Sequence, residues 1–285
     1  MVRKLYKGGY KRALTLSFDD GKPQDIRLKK TFDKYGLKCT FNLIGGDCRN
    51  PEFYISEAKK NLWDGSPELK EAYEGHEIAS HSYSHKMMPE LSDEECKFEI
   101  YEDVKELEKA FGTKIKGFAA PYGRVDQRVI SHLKENGILY ARLSASKTDF
   151  SLPDDFYRWI PNPHIAIYAT DEGKKMISDF FAEEEELPCL YIWGHSYEIN
   201  VLDAYGFERW NGMRNRWEYV DSLCRELSGH SDTWYATNIE ICEYALAMRK
   251  ARYDDTYIDN PSDIPLFFDV DGRTIIAPPH TRFSI

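Results

Sequence analysis

Apolar positions in this chain follow two rhythms, one of period two and one near 3.6, and their alternation predicts repeated strand–helix units. Ala13 to Phe18 alternates like a strand and runs into a loop holding Gly21 and Pro23. Leu28, Phe32 and Tyr35 then share one helical face, with Gly36 as the stop. Cys39, Phe41 and Leu43 mark a second strand, Ser66-Pro67 opens a short helix closed by Gly75, and His76 to Ser80 reads as a third strand. Ser92 and Glu95 have the spacing of a capping box, and Cys96, Ile100, Val104, Leu107 and Phe111 form a long stripe behind it. Strands are expected at Lys116–Ala119, Ile138–Ala141, Leu190–Trp193 and Trp234–Ala236. Helices are expected around Val129–Leu133, Trp217–Leu227 and Ile239–Met248.

Repeated strand–helix units in one chain point to an α/β fold, either a barrel or a doubly wound sheet. The pattern changes from about Tyr253. Asp271-Gly272 is a hairpin turn signal between Leu266–Val270 and Thr274–Ala277, and prolines follow. The expected organisation is one barrel-like unit over residues 1–250 and a small C-terminal β appendage over 251–285, not an independent domain.

With 285 residues, 42% of them apolar, the chain can bury a large core. Its net charge of −10 makes it a poor partner for phosphate backbones, so no nucleic-acid partner is expected. No apolar run of leader length precedes the first strand and none approaches a membrane span, so the expectation is no membrane partner and a cytoplasmic location. The six cysteines, Cys39, Cys48, Cys96, Cys189, Cys224 and Cys242, are scattered and read as reduced. The sequence does not set an oligomeric state.

Chemistry enters at three strand ends. The first strand ends in Asp19-Asp20-Gly21, the third runs into His81-Ser82-Tyr83-Ser84-His85, and a late strand ends in Trp193-Gly194-His195. Active sites of parallel α/β folds assemble at the C-terminal ends of strands, where the loops converge. One carboxylate with two imidazoles is a catalytic divalent-metal set that leaves positions open for water and substrate. A second carboxylate beside it can act as general base, and a histidine from another loop as acid. Together these describe metal-assisted hydrolysis of an amide or ester.

The stretch LTLSFDDG resembles the first motif of the polysaccharide deacetylase family (the NodB-homology domain, carbohydrate esterase family four). GHEIASHSYSH is similar to its His-x-x-x-His motif, and GFAAPYG to its third motif. The resemblance runs from about Ala13 to His195 and implies a distorted (β/α)7 barrel. Carried over by position, Asp19 matches the base, and Asp20, His81 and His85 match the ligands of a divalent metal. Zinc suits that set best, and cobalt, manganese or nickel would be accepted. His195 matches the acid, and the backbone amide of Tyr122 an oxyanion donor. The implied activity is removal of an acetyl or formyl-like group from an N- or O-acylated saccharide.

The chain departs from that pattern in places. Ala119 stands where the family carries an arginine beside its base, and Arg142 or Arg124 is expected to supply the charge. The family's fourth motif, an aspartate shortly before a tryptophan, is not cleanly present, which leaves Asp149 and Glu198 as partners for His195. Trp193 replaces a leucine and would narrow the acyl pocket, with Pro121, Tyr122 and His164 as further substrate contacts. Trp159, Trp210 and Trp234 are either a sugar-stacking platform or core, with burial expected for at least two. The rival functions are amide hydrolysis on a non-sugar small molecule and a catalytically impaired carbohydrate-binding protein.

Overall fold

The computed structural model describes residues 1–48, 67–200, 210 and 212–285; Ser66 and the side chain of Cys48 lie outside the described residues. Strand β1 (Val2–Leu5) leads to β2 (Arg12–Asp19), α1 (Asp25–Lys34), β3 (Cys39–Leu43), α2 (Pro67–Tyr73) and β4 (Glu77–Ser80). Next come α3 (Asp93–Phe111), β5 (Gly117–Ala119), α4 (Gln127–Glu135), β6 (Tyr140–Arg142), α5 (Asp171–Ala182) and β7 (Cys189–His195). The main unit ends with α6 (Arg216–Leu227), β8 (Thr233–Tyr235) and α7 (Asn238–Met248).

Local chemistry fixes these boundaries. Ser92 and Glu95 close a capping box at the start of α3, and Gly112, at φ 68°, ends it in the left-handed conformation. Asp126 caps α4 by accepting from the Val129 amide at 2.8 Å.

The strands form one seven-stranded parallel sheet in the order β6-β5-β4-β3-β2-β7. β7 takes one edge of β2 from Ala13 to Asp19. The other edge is shared, β8 against Arg12–Leu14 and β3 against Leu16–Asp19. The sheet curls so far that residues 159–164 span from β6 back to β7. Trp159 bridges Arg142, His164 bridges Trp193, and the Asn162 amide donates to Tyr191 O at 2.9 Å. This seam, held by isolated bridges rather than a full strand, makes the sheet a distorted (β/α)7 barrel.

Alternation along the strands separates two environments. Leu14, Leu16 and Phe18 of β2, Phe41 of β3 and Leu190 and Ile192 of β7 pack with Leu28, Phe32, Ile100 and Leu107 of the helices. The opposite faces line the barrel, and they are polar: Thr15, Ser17 and Asp19 from β2, Thr40 and Asn42 from β3, all buried. At the base, Glu77 accepts from Thr40 Oγ1 at 2.7 Å, Tyr140 OH at 2.8 Å and the Ile239 amide at 2.8 Å. Thr15 and Tyr191 reach Asn238, the first residue of α7, in the middle. The N-terminus of α7 thus plugs the barrel from below.

The tail is larger than the expected hairpin. β11 (Leu266–Val270) and β12 (Arg273–Ala277) form that hairpin, with Asp271 at φ 50° and Gly272 at φ 82° in its turn. The N-terminal β1 adds to β11, and β9 (Arg252–Tyr253), β10 (Tyr257–Asn260) and β13 (Thr281–Ser284) make a second three-stranded sheet. Val2–Leu5 carries only four residues, two of them cationic, so its sequence signal was too short to mark a strand. Leu266 and Phe268 bury against Tyr6 and Tyr244, joining both chain ends in one apolar cluster. No described helix is long and apolar enough to cross a membrane.

Candidate active site

The C-terminal ends of β2, β4 and β7 bring together Asp19, Asp20, His81, His85 and His195, as their places in the parallel sheet require. Asp20 Oδ1 lies 3.5 Å from His81 Nε2 and 3.7 Å from His85 Nε2. His81 Nδ1 is 2.8 Å from Ala119 O, which accepts a proton only if Nδ1 carries it. Nε2 then presents a lone pair toward Asp20, the orientation a metal ligand needs. Two ligands on a tetrahedral ion bound at about 2.0–2.1 Å lie roughly 3.3 Å apart, so the observed separations fit a divalent cation. The group is one of two sets among the described residues with metal-ligand spacing.

Backbone strain concentrates here. Among the described residues seven non-glycines have positive φ, and Asp20 (78°), Ser82 (62°), His85 (55°) and Tyr122 (56°) all belong to the loops at this mouth. Left-handed backbone costs a β-carbon-bearing residue on the order of 1 kcal/mol or more, so the surrounding packing must hold it. Tyr122 sits with buried Pro121 on the turn after β5, and its exposed ring meets the His85 ring edge-on at 5.0 Å.

Asp19 stands apart from the trio. One carboxylate oxygen accepts from Asn42 Nδ2 at 2.7 Å, and the other pairs with the buried Arg142 guanidinium. Burial pushes this carboxyl up, but nearby positive charge, that of Arg142 first, outweighs it and holds Asp19 down to about 2. The oxygen that pairs with Arg142 also lies 3.8 Å from His195 Nε2. Trp193 packs beneath, its ring 4.9 Å from the Arg142 guanidinium and 5.8 Å from the His195 ring.

Residues 7–141 match the family model described as polysaccharide deacetylase. Over those residues the chain is similar to that family. Over 149 residues it is 26% identical to a Bacillus cereus protein named peptidoglycan-N-acetylglucosamine deacetylase, covering 51% of this chain and 49% of that protein. It is 32% identical over 147 residues to chitin deacetylase 1 of Saccharomyces cerevisiae, covering 50% and 43%. The chain therefore spans about half the length, or less, of these curated relatives. Among solved structures, a polysaccharide deacetylase from Mycobacterium smegmatis aligns with a TM-score of 0.56 at 17% identity, over 87% of this chain and 94% of that one. A peptidoglycan deacetylase from Bacillus subtilis aligns at 0.51 and 16%, over 84% and 94%. These two likenesses are of fold.

Within the barrel, the departures from the family pattern resolve geometrically. Ala119 and Arg142 are direct partners across β5 and β6, so the guanidinium beside Asp19 arrives from one strand over. Arg124 is exposed. Asp149 does not reach His195; it is bound to Lys147 and Ser151 on the surface. Glu198, three residues past His195 on the 3-10 turn Ser196–Ile199, takes that place, with Oε1 3.2 Å from His195 Nδ1. His164 was expected to line the pocket. It is instead buried at 7% exposure behind Glu198, 3.0 Å from Oε2. Trp159 and Trp210 are core residues and Trp234 is half-buried at the base, so they form no platform at the mouth. Asn42 went unnoticed in the sequence. Its only signal is its phase, because the apolar alternation of β3 puts Thr40 and Asn42 on the barrel-lining face.

Proposed function

We propose that this protein is a metal-dependent deacetylase that hydrolyses an acetyl or formyl-like group from an N- or O-acylated saccharide. The observation that carries the reading is Asp19: a buried carboxylate beside the Asp20–His81–His85 set, held ionised, that is not itself one of the three ligands. A mere metal-binding scaffold would have no use for it. The names of the curated relatives support the same substrate class.

Zinc is the proposed ion, with cobalt, manganese or nickel acceptable to the same donors. Held by Asp20, His81 and His85, it would supply Lewis acidity to a carbonyl oxygen and to a water molecule. Asp19 takes the proton from the attacking water, its second oxygen being fixed by Arg142. The Tyr122 backbone amide donates to the oxygen that gains charge as the carbonyl carbon becomes tetrahedral. His195 delivers a proton from Nε2 to the departing nitrogen or oxygen, the carbon–heteroatom bond breaks, and acetate and the free saccharide leave. Trp193 forms the floor on which only a short acyl group fits.

The test is metal analysis of purified protein with an acetate-release panel of N- and O-acetylated saccharides. One divalent ion per chain and acetate from at least one amino sugar are expected, with Asp19→Asn keeping the ion and losing turnover. Unchanged turnover in that variant would overturn the mechanism. Sugar binding without acetate release would point to an impaired binding protein, and release from cyclic amides alone to a non-sugar amide hydrolase.

A further inference from the structure

We propose that Glu99 is a positioning residue for His85: from within α3, its buried carboxylate clamps the loop that aims this imidazole at Asp20 and His81. The proposal rests on the metal-dependent deacetylase reading and names a residue that reading does not use. The histidines of the set are held in unequal ways. His81 directly follows β4, its amide donates to Leu43 O at 2.9 Å, and its ring is fixed by Ala119 O at 2.8 Å. His85 lies farther along the loop. Its side chain is 31% exposed against 2% for His81, and no hydrogen bond from a described residue holds its ring. A ligand imidazole is ordinarily oriented by a hydrogen bond to its second nitrogen. Here that task falls to the backbone that carries the ring.

That backbone is an unfavourable one. Ser82 at φ 62° and His85 at φ 55° put two left-handed residues into one short loop, and neither is glycine. Such angles persist only where the surroundings hold them. Glu99 supplies the hold. Its Oε2 accepts from the Ser84 amide at 2.7 Å, its Oε1 accepts from the Ser84 hydroxyl, and its backbone carbonyl accepts from the Tyr83 amide at 3.0 Å. One residue thus grips the two that precede His85. Beyond His85, Lys86 places Nζ 3.5 Å from Oε1. Glu99 is 1% exposed, and burying a carboxylate is costly unless it is hydrogen-bonded. Every side-chain partner it has among the described residues lies in this loop. With both oxygens committed to Ser84, Glu99 is a clamp and not a fourth ligand.

The other side of the loop is closed by the turn Gly45–Cys48 after β3. The Gly46 amide donates to Tyr83 O at 2.9 Å, and a Cβ on Gly46 would overlap that oxygen. Gly45 meets Asp103, one helical turn beyond Glu99, in the same manner: its amide donates to Asp103 Oδ1, and a Cβ there would collide with that atom. Tyr83 is therefore held through its amide by α3 and through its carbonyl by the glycine turn. The loop has little room to relax, and the strained angle at His85 is kept.

The experiment measures zinc affinity of the folded full chain by competition with a chromogenic chelator, together with the melting temperature of the zinc-free protein and acetate release. Glu99→Ala should bind zinc about tenfold more weakly than wild type. Ser84→Ala, which keeps the amide bond, should lose about threefold, and Glu99→Gln, whose amide can still bond Ser84, about twofold. The effect should pass through His85: in a His85→Ala background, adding Glu99→Ala should change zinc affinity by less than about twofold. A lower zinc-free melting temperature with unchanged affinity in Glu99→Ala would mean a merely structural glutamate and overturns the proposal. An equal loss of affinity in both backgrounds does the same. Should Glu99→Ala fail to fold, Ser84→Ala binding zinc at wild-type strength overturns it. The expected losses in a chain that releases no acetate would overturn the deacetylase reading and leave the clamp standing, whereas a wild-type chain that binds no divalent ion would overturn both.

Discussion

Two carboxylates, one at each end of the same barrel, experience opposite fates. At the mouth, Asp19 is surrounded by Arg142, His81 and His195, and positive charge, that of Arg142 first, holds it down to about 2. At the base, Glu77 keeps some exposure and accepts three hydrogen bonds, yet burial of its carboxyl lifts it to about 7. The donors at the base, Thr40, Tyr140 and the Ile239 amide, are all neutral. Hydrogen bonds from neutral donors pull the Glu77 carboxyl down without overcoming burial, whereas nearby positive charge does so for Asp19. The mouth therefore keeps a carboxylate ionised, as the proposed proton acceptor requires, and the base is a clasp joining β4, β3, β6 and α7.

That contrast can be broken from either end. The largest effect should come from removing the metal: chelation should abolish acetate release, and readdition of zinc should restore it, followed by metal analysis and turnover on the same sample. Asp19→Asn should lower kcat about a thousandfold with the metal still bound. It should also cost about 3 kcal/mol in denaturant unfolding, because Arg142 is left buried without its partner. Arg142→Met should lower turnover about a hundredfold by freeing the Asp19 oxygen it fixes. Equal rates in wild type and this variant would mean the guanidinium is dispensable.

Smaller effects sharpen the picture. Trp193→Leu should raise the propionyl-to-acetyl rate ratio about tenfold by deepening the acyl floor, read from competing substrates. Glu77→Gln should change turnover by less than about twofold but alter the pH dependence of stability. Glu77 titrates at about 7 when folded against an ordinary 4.5. Its protonated form therefore contributes stability that is whole below about 4.5 and is lost as pH rises through about 7. The glutamine variant should lack that decline, as urea midpoints from pH 5 to 8 would reveal.

Much of the fold and of the candidate site was legible because both depend on local signals. Period-two strands, capped helices and the strand-end placement of Asp19, Asp20, His81, His85 and His195 are written in short windows of sequence. Arg142 was legible only as one of two cations, since choosing it over Arg124 needs the pairing of Ala119 with Arg142. Glu198 was likewise one of two carboxylates, and Asp149 drops out because its own loop binds it. Asn42 and the clasp at Glu77 were not legible. A buried amide inside a barrel has the same sequence signature as a solvated one on a half-exposed strand. The addition of Val2–Leu5 to a hairpin some 260 residues away is a long-range pairing that local pattern does not encode.

The seam at residues 159–164 and the strand it meets, β7, come late in the chain, while Asp20, His81 and His85 all lie within its first 85 residues. Ribosomes extend chains from the N-terminus. The three residues proposed to hold an ion are thus synthesised long before His195, the proposed proton donor, and the seam. On the proposed mechanism, a chain that stopped short of these last staves would lack both its acid and its closed wall.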